Sequence, residues 1–302
     1  MGTTYNVSIV HLKSSNFDKK TLKSEFDNLL IEVNQQVSTY IPDSEISLFN
    51  DAKNINWMKI DSDFYQIVSA AQKVSQLSNG AFDITISPLI DAWGFGAKDN
   101  KNPPNDTEIK VLLEEIGYQQ LAIDDKNLSI KKEQASLRID LSAIAKGFAV
   151  DKLSQYLSEK GFPNHLVEIG GELRANGTNL SDNNWRIAVE QPDPSSNIAN
   201  KGIELSNKGV ATSGDYRNYF IENGVRRSHI IDPNTGYPIT HKLASVTVLH
   251  ESTMLADAYA TAILVMGEKL GKIFAEKNNL DVLMIIREND KFKFWSSSNL
   301  FK

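Results

Sequence analysis

Helix-like and strand-like segments do not alternate along this chain. Long amphipathic helices dominate the part before residue 160, and short strand-like runs dominate the part after it, at 166–169, 185–189, 203–205, 245–249 and 282–286. A parallel, doubly wound sheet needs a repeating strand–helix order, so that architecture is excluded. The pattern predicts an α+β fold with mixed, largely antiparallel sheets and packed helices.

The helical stretches are read from their spacing. Leu22, Phe26, Leu29, Leu30, Val33 and Val37 form one apolar stripe over 18–39. Phe64, Ile67, Val68, Ala71 and Val74 form another over 62–77, and Asn79-Gly80 stops it. The run 5–12 alternates as a strand does, and 41–44 reads as a turn. A loop is expected through Pro88, Trp93, Phe95 and Gly96, with an exposed insertion at 98–106 around Pro103-Pro104. Short strands are expected near Leu121, Leu128 and Leu137, then a helix to about 160, with further helices at 254–266 and 270–277.

Composition removes several function classes. The 302 residues are 41% hydrophobic, enough for a large core, and one domain spanning 1–302 is expected. Net charge is −6, which argues against a general nucleic-acid binder. There is no cysteine, so disulfides, thiolate zinc sites, iron–sulfur clusters and thiol nucleophiles are excluded. No apolar run approaches the roughly 18 residues that cross a bilayer.

Two short runs carry the clearest chemistry. Asp140-Leu-Ser-Ala-Ile-Ala-Lys-Gly147 places a carboxylate, a hydroxyl and an ammonium at the mouth of a helix, where backbone donors favour anions. Asp140 or Ser142 is expected to cap that helix, and Gly147 permits close backbone approach. A plain capped helix with a surface lysine would carry the same residues. Ala256-Asp-Ala-Tyr-Ala-Thr261 puts Asp257 and Thr261 four apart on one helical face. Their hard oxygens suit Mg²⁺ better than Zn²⁺, although a buried Asp paired with a lysine or a backbone donor is the structural alternative. Together the two runs look like a cradle for a diphosphate and a hard metal ion.

Other segments are weaker alone. Gly170-Gly171 after an apolar strand suits either a bulge or close ligand contact, and it does not form the Gly-x-Gly-x-x-Gly fingerprint of dinucleotide folds. The run 211–217 concentrates hydroxyls, an acid and an arginine. His229 follows shortly, before a tight turn at Asp232-Pro233-Asn234. Tyr40, Phe82, Trp93 and Phe95 could stack on a planar ring or serve as ordinary core.

Taken in order, these runs resemble the FAD:protein FMN transferases, the ApbE-type flavin transferases. The matching segments are Ser44-Glu-Ile-Ser47 with Asn50, Gly80-Ala-Phe-Asp83 with Pro88-Leu89 and Trp93-Gly-Phe-Gly96, the Asp140 run, Val167-Glu-Ile-Gly-Gly-Glu172, Thr212-Ser-Gly-Asp-Tyr-Arg217, Ser228-His-Ile-Ile-Asp-Pro233 with Thr235-Gly236, and the Ala256 run. The resemblance implies an ApbE-like fold, with room for two subdomains and the FAD site between them. It implies Mg²⁺-dependent cleavage of FAD, with FMN passed to a threonine or serine hydroxyl of a partner protein and AMP released. It further implies that Met1, Tyr40, Ala81, Phe82, Asp83, Asp140, Lys146 and Ile231 contact FAD, and that Glu168, Gly170 and Gly171 line the flavin site. By the same resemblance, Asp257, Thr261 and the Ala143 carbonyl would hold Mg²⁺, and His229 matches a position needed for transfer. Hydrolysis of FAD to FMN and AMP, or flavin carriage without turnover, are the alternatives.

The same resemblance implies acceptors with a Ser/Thr-Gly-Ala-Thr-like motif, such as subunits of sodium-translocating quinone reductase or related redox pumps. Family members are usually exported, often as lipoproteins on the periplasmic side of the inner membrane. Met1 is therefore expected to be an internal methionine left after trimming, with membrane association only through the trimmed N-terminal anchor.

Overall fold

The computed structural model describes residues 2–11, 18–96, 103–189, 202–215, 219–222, 225–289 and 291–297. Strand β1 (Tyr5–Ile9) leads to helix α1 (Lys19–Val37), which Asp18 caps by accepting from the Lys20 amide. Leu22, Phe26, Val33 and Val37 are its buried stripe. Helix α2 (Glu45–Asp51), strand β2 (Met58–Lys59) and helix α3 (Ser62–Leu77) follow, then α4 (Ser87–Ala92) and α5 (Asp106–Glu114). The hairpin β3 (Leu121–Asp124) and β4 (Ser129–Lys132) precedes helix α6 (Ala145–Glu159). Beyond it come β5 (His165–Ile169), β6 (Glu172–Asn176), β7 (Trp185–Ile187), β8 (Ile203–Leu205), β9 (Lys208–Gly214), β10 (Tyr219–Glu222), β11 (Val225–Ser228) and β12 (Leu243–His250). Helix α7 (Thr253–Lys277) and the hairpin β13 (Asp281–Glu288) and β14 (Lys291–Ser296) complete the described chain.

The sequence pattern misplaces several local elements. Helix α2 lies directly after the turn at 41–44, α4 occupies a segment read as loop, and α5 starts at the last residue of the expected insertion 98–106; the pattern predicts no helix at any of the three. They have 7, 6 and 9 residues, too few for an apolar period to stand out. End chemistry makes them helices instead. Ser44 caps α2, Pro88 sits in the first turn of α4, and Asn105 with Glu108 forms a capping box on α5. Leu137 lies in irregular backbone, not in a strand. The two helices expected at 254–266 and 270–277 form the single run α7, broken at Gly267 (φ 73°, ψ −179°).

The main sheet has seven strands in the order β1-β5-β6-β9-β12-β13-β14, and every neighbouring pair is antiparallel. Smaller antiparallel sheets pair β2-β4-β3, β7-β8 and β10-β11. Helix α6 packs on β5 and β6, while α7 packs on β9 and β12 and touches both α6 and α3. Met254, Ala258 and Ala262 of α7 belong to the core shared with α1, α3 and α6. Ala256, Ala260, Ile263 and Leu264 belong to the core against the sheet. Helix α7 therefore has apolar neighbours on two sides, so a polar residue on its remaining face faces a largely dry interior.

One buried cation braces the route to the site. Lys132 is 1% exposed, and its Nζ donates to the carbonyls of Asn50 (3.3 Å), Ala52 (2.8 Å), Ala135 (3.4 Å) and Leu137 (3.2 Å). Burial draws its pKa below the ordinary lysine range. The ammonium shares its three N–H donors among four carbonyls and ties α2 to the segment before α6. Replacing Lys132 with Met keeps much of the volume but strands those acceptors. Urea unfolding should then show a loss of about 2–4 kcal/mol, and an unchanged midpoint would remove this bracing role.

Candidate functional site

Helix α6 is aimed by its approach. Asn50 clamps the Ile139 backbone like a strand partner: its Nδ2 donates to the Ile139 carbonyl (2.9 Å), and its Oδ1 accepts from the Ile139 amide (2.8 Å). The Asp140 amide then donates to the Ile84 carbonyl at 2.7 Å. Asp140 does not cap α6. Its carboxylate accepts from the Ser142 amide (2.7 Å) in the turn before the helix, and the N-cap position is Ile144, without a side-chain bond.

The missing cap is supplied from α7. The Gly147 amide, in the first turn of α6, donates to Asp257 Oδ2 at 3.1 Å. In return Asp151 of α6 accepts from the Thr253 and Met254 amides that open α7, at 3.0 and 3.1 Å, and from the Ser252 hydroxyl at 2.9 Å. Each helix thus caps the other with an aspartate. The two first turns meet so closely that a Cβ on Gly147 would stand 2.4 Å from the Thr253 carbonyl oxygen. The positive end of α6 is the seat this junction offers an anion, whereas the Thr253, Met254, Leu255 and Ala256 amides that open α7 are taken by Asp151 and Ser252.

A buried charge cluster occupies the same place. Lys146 Nζ lies 3.3 Å from Glu172 Oε1 and 3.8 Å from Asp257 Oδ2. Both acids are 3% exposed. Burial, reinforced by the Asp257 charge and opposed by Lys146, pushes Glu172 up to about 8. Burial also raises Asp257, against the pull of Lys146 and the Gly147 amide. Burial works to lower Lys146, but the charges of Asp257 and Glu172 outweigh it and its pKa is raised. Glu172 Oε2 is buried without a hydrogen-bond partner. Two acids have one ammonium between them, and the raised pKa of each registers that shortage of positive charge; a further cation beside them would favour both carboxylates over their protonated forms.

A hard divalent cation fits this donor set. Thr261 Oγ1 lies 3.0 Å from Ser213 Oγ, one turn along α7 from Asp257, and Ala143 lines the same cavity. Among the described residues no three His, Asp or Glu side chains converge to hold an ion by themselves. Carboxylate, hydroxyl and backbone carbonyl completed by ligand oxygens match Mg²⁺, which keeps few protein ligands and prefers phosphate partners.

The cluster opens into a cavity of about 530 Å³. Ala81, Phe82, Asp83, Asp140, Ala143, Lys146, Glu168, Gly170, Gly171, His229, Ile231, Asp257 and Thr261 all line it, although they come from segments far apart in sequence. Tyr40 is not among the lining residues and is 74% exposed; Met1 lies outside the described residues. Ile84, Ile86, Ile90, Phe95 and Ile230 supply an apolar wall. His229 lines the cavity just after β11, its ring edge-on to Phe95 with centroids 6.2 Å apart.

Several of these residues have structural duties as well. The Asp83 carboxylate accepts from the Thr85 amide and hydroxyl and from the Tyr118 amide, between 2.7 and 2.8 Å. Burial raises its pKa despite those bonds. Glu168 accepts from the Gly171 amide (2.8 Å) and from Asn6 Nδ2 (2.7 Å), which fixes the turn where Gly170 and Gly171 adopt φ +61° and +104°. Trp93 is buried and donates to the Gly236 carbonyl, so it is core and not a stacking platform. The 211–217 run divides. Ser213 reaches Thr261, whereas Asp215 forms a two-pronged ion pair with Arg287 of β13; 216–218 lie outside the described residues. A buried Ser154–His165 pair (2.7 Å) is not among the cavity residues, and the His165 Nδ1 is 2.7 Å from the Phe162 carbonyl. It is core hydrogen bonding and not a nucleophile with its base.

Comparison with known proteins places the chain clearly. A family model described as the ApbE family matches residues 1–284. A protein of Vibrio cholerae named FAD:protein FMN transferase is 44% identical over 300 residues, covering 99% of this chain and 89% of its own length. One of Haemophilus influenzae with the same name is 41% identical over 307 residues, covering 99% and 88%. Among solved structures, the flavin transferase ApbE of Vibrio cholerae superposes with a TM-score of 0.89 at 41% identity, covering 99% of this chain and 95% of that one. The apo flavinyl transferase ApbE of Pseudomonas stutzeri gives 0.91 at 37%, covering 100% and 94%.

The contact between first turns makes an unusual demand on Gly147. Helix propensity alone would let Gly147→Ala stabilise the protein by up to about 1 kcal/mol. The clash with Thr253 should instead cost about 1–3 kcal/mol. Denaturant unfolding reads the sign, and a stabilised variant would contradict the packing described here.

Proposed function

The chain belongs to the ApbE family, and on that footing we propose that it is an FAD:protein FMN transferase, moving FMN from FAD onto a threonine or serine hydroxyl and releasing AMP. The observation that carries this reading is the Lys146–Glu172–Asp257 cluster at the start of α6, set in the wall of a cavity with an apolar side. That combination suits a ligand with a diphosphate and a large planar ring.

The residues divide the work. The start of α6 presents its positive dipole end to the diphosphate, and Lys146 adds a full charge. Phe82, Phe95 and the isoleucines take the ring system. Asp257, Thr261 and the Ala143 carbonyl would hold Mg²⁺, which when bound offsets charge on the diphosphate and on the departing AMP. His229 accepts the proton of the acceptor hydroxyl, whose oxygen bonds to the phosphorus of the FMN half. The bond from that phosphorus to the bridging oxygen breaks, and AMP leaves with that oxygen. Atoms balance: one phosphoester forms, one phosphoanhydride opens and one proton is released.

The acceptors fit the same reading as proteins with a Ser/Thr-Gly-Ala-Thr-like segment, with subunits of sodium-translocating quinone reductase or related redox pumps as the first choice. We place the enzyme on the periplasmic side of the inner membrane, attached through an N-terminal anchor. Among the described residues no helix is long and apolar enough to cross a membrane, which is compatible with that placement.

Incubation with FAD, Mg²⁺ and an acceptor domain, followed by intact-mass spectrometry, tests the proposal. The acceptor should gain the mass of FMN less one water, and chelation of the metal should stop the gain. Free FMN and AMP beside an unmodified acceptor would replace this reading with FAD hydrolysis. His229→Ala should lower transfer by at least about 100-fold while flavin fluorescence still reports FAD binding. Near-normal transfer by that variant would reject His229 as the base.

A further inference from the structure

Glu172 has no assigned part in the reaction, yet it is the nearer of the two acids that hold Lys146. We infer that Glu172 is a positioning residue, which keeps the Lys146 ammonium from claiming Asp257 and so leaves Asp257 available to a divalent cation. This rests on the reading of Asp257 as a metal ligand.

The geometry sets up a competition. Lys146 Nζ stands 3.3 Å from Glu172 and 3.8 Å from Asp257. An ammonium and a divalent cation drawn to one buried carboxylate repel each other strongly, because little solvent screens them. The cation with a second acidic partner can yield the first. Lys146 has such a partner in Glu172, on β6, a strand held between β5 and β9. Glu172 also keeps one oxygen, Oε2, without any hydrogen-bond partner, so it can follow the ammonium without breaking another bond. Lys146 then remains at the cavity wall, where an anionic diphosphate would meet it.

An alternative role is separable. If Glu172 merely adds negative charge near the ion, or ligates it, then neutralising it weakens metal binding whether or not Lys146 is present. If Glu172 acts through Lys146, the effect disappears once the ammonium is gone.

The test is a double-mutant cycle read by Mn²⁺ binding to the full chain, with free Mn²⁺ followed by electron paramagnetic resonance and no turnover required. Glu172→Gln should weaken Mn²⁺ about tenfold in the wild-type background, the size usual for groups that support a ligand. In the Lys146→Met background the same change should matter by less than about twofold. Equal weakening in both backgrounds, or none in either, overturns the proposal. Asp257→Ala is the control for the underlying reading: if it leaves Mn²⁺ binding intact, Asp257 is not a ligand, and both conclusions fall for a reason the cycle identifies. Circular dichroism checks each fold. Should Glu172→Gln not fold, Glu172→Asp keeps the charge but retracts it from the ammonium. Weakening confined to the background that retains Lys146 then supports the proposal, and equal weakening in both overturns it.

Discussion

The mutual docking of two helix N-termini is the constraint on which the site depends. Helix α6 begins without a side-chain cap and takes Asp257 from α7, while α7, capped by its own Ser252, takes Asp151 from α6 for the amides of Thr253 and Met254. That exchange works only because Gly147 lets the first turn of α6 lie against the Thr253 backbone. Everything chemical follows from this contact. It buries Asp257, brings Lys146 beside it and sets the positive end of α6 at the cavity.

Electrostatics then explains why the arrangement suits a cation and an anion together. Two buried acids share one lysine, so the cluster has room for more positive charge, while the start of α6 beside it favours negative charge. A metal ion with a diphosphate satisfies both at once. The surrounding structure holds the cluster rigidly. Asn50 and the Ile84 carbonyl fix the approach to α6, Lys132 ties that approach to α2, and Ser213 stands against the hydroxyl of Thr261.

Much of this was legible in the sequence, for identifiable reasons. The long helices announce themselves through stripes such as Leu22 to Val37, and the lack of strand–helix alternation points to the antiparallel architecture. The i, i+4 placing of Asp257 and Thr261 among small apolar residues betrays a buried polar face. What stayed hidden depends on partners remote in the chain. Nothing local to Asp215 reveals its pairing with Arg287, 72 residues away. Nothing near Glu172 shows that Lys146 lies beside it, because pairing β5 with β6 and laying α6 across them creates that contact. Short helices were obscured by their length, although the Asn105 and Glu108 capping box was present to be read. Tyr40, which the resemblance assigns to the flavin, has an exposed side chain that is not among the residues lining the cavity.

The central claim is that the junction of α6 and α7 holds a metal-bound diphosphate. Anomalous diffraction from crystals grown with FAD and Mn²⁺ addresses it directly. One strong manganese peak is predicted within coordination distance of the Asp257 carboxylate, the Thr261 hydroxyl and the Ala143 carbonyl, bridged to diphosphate oxygens at the start of α6. A manganese peak elsewhere, or a diphosphate seated away from Lys146 and Gly147, would contradict it.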